Sequence, residues 1–228
     1  MNRSTKWLRF YQLFVMAGLV ASGIGCSPAL LWFLNRGDDK APAQYPLVTK
    51  DGKKEVTVAV IATANAGLLN YPEFSGIDRD LAASFGQMLV EETTKDKHKV
   101  KVVDQAKVND LRNKNPLNWD IANRSQLAKD LGADHLIEVH ISKFSLYDKD
   151  FGRDICKGTV AVDVKVYDAT GNGSAKIEYS HTAQPPLRST DGSSPMAYKQ
   201  ILIKHVAKDL MHKHVPHTAE RDLPSQLR

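Results

Sequence analysis

Three groups of residues have the types and spacing to do chemistry. His205, His212, His214 and His217 crowd the C-terminal region, and imidazole is a good ligand for zinc, copper or nickel. On a helix His205 and His212 lie two turns apart and can share a face, but His214 is rotated off that face and Pro216 breaks the helix before His217. With no cysteine beside them, the spacing predicts histidines on a solvated terminal helix and no metal site. Asp148, Asp150 and Asp154 alternate as calcium ligands can, yet an EF-hand loop needs Gly in sixth place and Glu in twelfth, where Arg153 and Thr159 stand. The third group is Glu138, His140 and Asp163, two acids and an imidazole able to exchange protons on one face of a sheet. No Gly-rich phosphate loop, GxSxG elbow or HExxH pair accompanies them, so no catalytic residue, metal or cofactor is assigned.

The elements that carry these residues follow from periodicity. Val56 to Ala62 is apolar on both faces and predicts a central strand. Ser75 to Asp78 has the form of a capping box, and Ile77, Leu81, Phe85, Met88 and Leu89 recur at helical spacing to about Thr93. Val100 to Val103 predicts a second strand. Gln105 to Arg112 and Trp119 to Leu131 predict helices, the second with Ile121, Ala128 and Leu131 facing inward and Gly132 ending it. His135 to Phe144 predicts a third strand. Strand, helix, strand, helices, strand requires parallel pairing through crossovers. The chain then changes character, because Gly158 to Asp168 and Ser174 to Thr182 alternate about DATGNGS, whose Gly171, Asn172 and Gly173 suit a hairpin. Pro195 to about His214 predicts a last helix. The expected fold class is α/β, a single domain with a five-stranded mixed sheet packed by about four helices, half of the sheet a meander with a polar face.

That polar face comes from alternation. Ile137, Val139 and Ile141, Val160 to Val166, then Ile177 and Tyr179 point one way. Glu138 and His140, Asp163 and Lys165, Lys176 and Glu178 point the other. Charges are rarely buried without partners, so this half of the sheet carries helices on one face only. The six charged and polar positions are read either as a solvated face with cross-strand ion pairs or as a partner interface. An active site on Glu138, His140 and Asp163 is the remaining alternative. Cys156 shares the valine side of its strand and reads as a small buried hydrophobe.

The N-terminus decides where the domain sits. Arg3, Lys6 and Arg9 lie in the first twelve residues, ahead of the uncharged stretch Leu13 to Ile24, the order of a secretory signal. Without these three charges the net charge of +5 falls to +2, and no basic stripe replaces them, which removes a nucleic-acid reading. Ser22, Gly23, Ile24 and Gly25 before Cys26 resemble the lipobox of a bacterial lipoprotein. That resemblance implies a diacylglycerol-linked Cys26, a cleaved signal over 1–25 and, with Ser27 following, an outer-membrane address in a Gram-negative cell. Residues Leu13 to Leu34 are also 22 without charge, long enough for a retained signal anchor. The positive-inside bias gives both versions the same topology, with the domain on the outer, periplasmic side. Residues 26–54, with charges and prolines, read as a tether, 55–214 as the domain and 215–228 as a loose tail.

The pieces IDRDLAASFGQMLVEE, VKVVD, LGAD leading into HLIEVHISKF, and VDVKVYDATG resemble the superfamily containing the TolB N-terminal domain and the CsgG and LpoB lipoproteins. The resemblance spans about Val56 to Met211. It implies a noncatalytic, membrane-anchored envelope module that docks onto a protein partner or assembles with its own copies. The rival class is a small periplasmic hydrolase or metal-binding enzyme. If the lipobox reading holds, Cys26→Ser abolishes labelling by a palmitate analogue; an unprocessed N-terminus in the intact mass of the membrane-bound chain would replace it with the signal anchor.

Overall fold

The computed structural model describes residues 40–47, 55–95, 100–114, 116, 118–147, 156–184 and 194–218. Contacts divide the chain into two units, 41–217 and the residues on either side of it, and the fold below is that of 41–217. Five strands form one sheet: β1 (Val56–Ala64), β2 (Val100–Val102), β3 (His135–Tyr147), β4 (Cys156–Asp168) and β5 (Ile177–Ala183), in the spatial order β2-β1-β3-β4-β5. Strand β1 is parallel to both β2 and β3, while β3–β4 and β4–β5 are antiparallel. The expected mixed sheet is present, but its middle strand is β3; β1 is interior and one place off centre. Five helices pack with it: α1 (Ala66–Leu69), α2 (Ile77–Lys95), α3 (Gln105–Lys114), α4 (Arg124–Leu131) and α5 (Pro195–His214).

The crossover from β1 to β2 through α2 and the return from β2 past β1 to β3 through α3 and α4 run in opposite directions across the sheet, so crossovers of one hand place their helices on opposite faces. Helix α2 accordingly joins α5 on one face, burying Phe85, Leu89, Leu202, Val206 and Leu210 against Val58, Val60, Val139 and Val164. Helices α3 and α4 cover Ala59, Ile61, Leu136 and Tyr167 on the other with Val108, Leu127 and Leu131.

Local chemistry sets the ends. Asn123 caps α4 by accepting from the Gln126 amide at 3.2 Å, and Gly132 ends it at φ 71°. Ser194 caps α5, with Pro195 in its first turn. Helix α2 departs from its expected box: Gly76, at φ 74°, stands where the helix begins and its carbonyl accepts from Asp80, while Ser75 ends a preceding 3₁₀ turn. In the hairpin, only Gly173 of the three expected turn residues takes a positive φ among the glycines, and its amide bonds Ser125 of α4 at 3.1 Å.

Three departures have clear physical reasons. The region 118–123 is turns, so Ile121 is 81% exposed where the longer helix put it inward; Trp119 is buried in its place. Register shifts between Ile141 and Lys143 and between Ser145 and Tyr147 extend β3 past Phe144 and move the inward positions from Ile141 to Phe144 and Leu146. Residues 41–47, which composition assigns to the tether, lie on the domain. Leu47 is in the core, Tyr45 stacks on Tyr179 at 4.7 Å, and the Tyr45 amide bonds the Lys213 carbonyl at 2.7 Å. The end of α5 leaves carbonyls open, and this segment takes two of them.

Gly158 of β4 lies where the strand meets α5. Its amide donates to the Tyr198 hydroxyl at 2.7 Å, and a Cβ there would meet the Ser145 carbonyl at 2.6 Å and the Leu202 side chain at 2.7 Å. Gly158→Ala is expected to cost about 2–3 kcal/mol in chemical denaturation, since the backbone oxygen cannot give way as a side chain does.

Candidate functional site

Parallel and antiparallel registers line up two rows across four strands on the α3/α4 side. One row runs Ile61, Glu138, Lys165, Glu178; the next runs Thr63, His140, Asp163, Ser180. Helix α4 covers the sheet only as far as the first row, and its edge is marked by an ion pair. Arg124, the first residue of α4, reaches Glu138 at 2.6 Å through Nη2 and 3.1 Å through Nε, with the two side chains 11% and 13% exposed. The Tyr167 hydroxyl donates to the other Glu138 oxygen at 3.2 Å. Burial, and then the adjacent Glu138 carboxylate, push the Tyr167 phenol up to about 12, so it stays a donor at neutral pH. Arg124 also donates to the Trp119 carbonyl at 2.6 Å, which ties the 118–123 turns to the sheet. Glu138 is therefore mostly withdrawn from solvent.

The other five positions are more open. Lys165 and Glu178 pair at 3.0 Å with side chains 41% and 61% exposed. Lys176 pairs with Asp168 at 2.9 Å, and His135 meets the other Asp168 oxygen at 2.6 Å. Burial opposes ionisation of Asp168, but the Lys176 bond and the His135 charge outweigh it and hold the carboxyl below its usual range. His140 is exposed, its Nδ1 3.0 Å from the Thr63 hydroxyl. The Ser180 hydroxyl donates to half-buried Asp163 at 2.5 Å.

Glu138, His140 and Asp163 thus hold three different partners. His140 and Asp163 stand directly opposite one another in the ladder, yet each is bonded away to its other neighbour. A cavity of about 180 Å³ opens between α3 and α4, lined by Leu111, Trp119, Leu127 and the Asn118, Asn123 and Gln126 amides; none of the three lines it.

The histidines separate into distinct environments. His181 and His205 approach one Asp209 oxygen at 3.1 and 3.7 Å, and although burial opposes ionisation of Asp209, those imidazoles keep its carboxyl low. The His212 and His217 rings stack at 3.8 Å. His214 is 1% exposed, which corrects the expectation of a solvated terminal helix: its neighbours are Tyr45 and Tyr179, supplied by parts of the chain that helical spacing does not report. No group of three or more His, Cys, Asp or Glu among the described residues is arranged to hold a metal ion. No described helix is long and apolar enough to cross a membrane. Cys26, the Leu13–Leu34 stretch and Asp148, Asp150 and Asp154 lie outside the described residues, as does the side chain of Cys156.

No family model and no curated protein matches the chain. Solved structures similar to it include a PelC dodecamer from Paraburkholderia phytofirmans, 12% identical over 77% of this chain and 92% of that one with a TM-score of 0.41. Lipoprotein GNA1162 from Neisseria meningitidis is 14% identical over 68% and 96%, with a TM-score of 0.40. The LpoB C-terminal domain from Salmonella enterica is 15% identical over 62% and 89%, with a TM-score of 0.34.

The covered and the open parts of the first row predict different responses to substitution. Glu138→Ala strands Arg124 at the edge of α4 and is expected to cost about 2–4 kcal/mol in equilibrium unfolding, whereas Lys165→Gln removes an exposed pair and costs under about 1 kcal/mol. Equal losses would mean that the edge of α4 is not where the burial boundary lies.

Proposed function

We propose that this chain is a noncatalytic, membrane-anchored envelope module whose domain docks onto a partner protein, or onto further copies of itself, through the polar face of β3, β4 and β5. The observation that carries the reading is the uncovered half of the second sheet face, a surface of His140, Lys165, Lys176 and Glu178 with the Thr63 and Ser180 hydroxyls between. Paired charges at a protein surface cost little to expose and select partners by complementary potential, which suits a docking face better than a pocket does. Glu138 ends that face at its covered edge, paired with Arg124, and Asp163 holds the Ser180 hydroxyl.

The anchor is assigned to Cys26 through its lipid, with the N-terminal helix as the other means of attachment, and the domain to the outer side of the membrane. A lipoprotein with Ser27 in second place is directed to the outer membrane in a Gram-negative envelope. Holding a domain at a membrane raises its effective concentration near other envelope proteins, so a modest interface suffices.

Lys165→Glu with Lys176→Glu places like charges opposite Glu178 and Asp168 on the exposed face. The pair is expected to leave unfolding within about 1 kcal/mol of wild type per site while abolishing co-purification of the partner or reducing the oligomer measured by light scattering. Unchanged association in the folded double variant would remove this face from the proposal.

A further inference from the structure

Residues 41–47 follow the N-terminal region directly, and how they are held has a chemical peculiarity. The segment APAQYPL places prolines at 42 and 46, which have no amide hydrogen, and leaves the Tyr45 and Leu47 amides to bond the Lys213 and His214 carbonyls at 2.7 and 3.4 Å. His214 bonds the segment in return: its Nδ1 lies 3.0 Å from the Tyr45 carbonyl and its Nε2 2.9 Å from the Tyr179 hydroxyl. A carbonyl only accepts, so Nδ1 carries the hydrogen and Nε2 accepts from Tyr179. One neutral tautomer satisfies both partners. A second proton on the ring makes Nε2 a donor, so the Tyr179 hydroxyl must turn to accept, and puts a charge in a site 1% open to water.

The groups facing the imidazole are Tyr45 from the segment, Tyr179 from β5, Lys213 from α5 itself and Phe85 from α2, with ring centroids 6.3, 5.8 and 6.1 Å away for the three aromatic residues. None of the four is a carboxylate that would welcome the charge.

We propose that residues 41–47 are a latch that His214 holds closed in its neutral form and that protonation opens. Its function rests on the membrane-anchored reading above. Closed, the latch joins anchor to domain at residue 41; open, at residue 55, which adds up to about 50 Å of reach for the domain. The segment is held by a few hydrogen bonds, the pairing of the two-residue strand that ends at Ala41 with the one that begins at His217, one ring stack and the burial of Leu47, which is far less than holds the sheet, so it can open without global unfolding. Burial of the ring, against the opposing Tyr45 bond and with Lys213 adding to it, lowers His214 from 6.5 to about 4 in the closed form. Because the closed value lies below the free one, the latch has its full strength above pH 6.5 and loses it as pH falls toward 4.

Hydrogen exchange followed by mass spectrometry on the full chain in detergent micelles tests the latch at pH 7.5 and pH 5, after correction for intrinsic exchange. The proposal expects the opening constant of 41–47 to rise on the order of tenfold at pH 5 while the amides of β3 hold their protection. His214→Phe is expected to abolish that pH dependence. Tyr179→Phe, which keeps the ring and removes the donor, is expected to raise opening several-fold at pH 7.5. The latch is overturned if 41–47 exchanges together with β3 at both pH values, if the pH dependence persists in His214→Phe, or if Tyr179→Phe changes nothing. An intact mass lacking both lipid and signal sequence would overturn the reach assigned to it, separately from its response to protons.

Discussion

Short helices cannot cover long strands. Helix α4 has 8 residues and is about 12 Å long, whereas β3 has 13 residues and spans about 43 Å. On the other face α2 and α5, with 19 and 20 residues, run about 28 to 30 Å each and together bury the inward side of the sheet from β1 to β5. The crossover rule puts α3 and α4 on the second face, and their lengths stop the apolar cover at Leu136 and Tyr167. Everything beyond must be polar, and the sequence obliges with Glu138, His140, Asp163, Lys165 and Glu178. The docking surface proposed for this protein is thus a consequence of element lengths.

The step from apolar cover to open sheet is an electrostatic problem, because a carboxylate at the edge of a helix is half desolvated. Arg124 solves it from the first turn of α4, where its own guanidinium also bonds the Trp119 and Ala122 carbonyls. One side chain therefore fixes the turn before α4, the start of the helix and the middle of β3. The hairpin after β4 closes the same corner, with the Gly173 amide on Ser125 and no room for a Cβ beside Asn123, whose side chain would lie 2.7 Å away. A single corner thus sets how far the polar rows stand from the core.

Much of this was readable in the residues and some of it was not. Strand order, the change from crossovers to a meander, the α2 stripe and the full length of α5 follow from period and turn chemistry, which are local. The period of Trp119 to Leu131 puts Ile121 inward, but the side-chain amide of Asn123 starts α4 later and turns precede it. The inward switch from Ile141 to Phe144 has a signal, a three-residue gap in an alternating strand, that marks a bulge. His214 and residues 41–47 were illegible for a different reason. Two prolines, a tyrosine and a leucine among polar residues read as linker, and only the open carbonyls ending α5, distant in sequence, give that segment a place to bind. Glu138 reads as one more outward charge because alternation reports the face of a sheet and says nothing of which helix ends above it.

The central claim is that partners meet the uncovered rows and not the helical face. A photo-crosslinking amino acid at Glu178, on the exposed row, and another at Glu91, on the solvent side of α2, tests it most directly in membranes of cells that make the full chain. The account predicts a discrete adduct, to a partner or to a second copy, from position 178 and none from 91. Adducts from 91 alone, or none from 178 in a folded, membrane-bound chain, would contradict it.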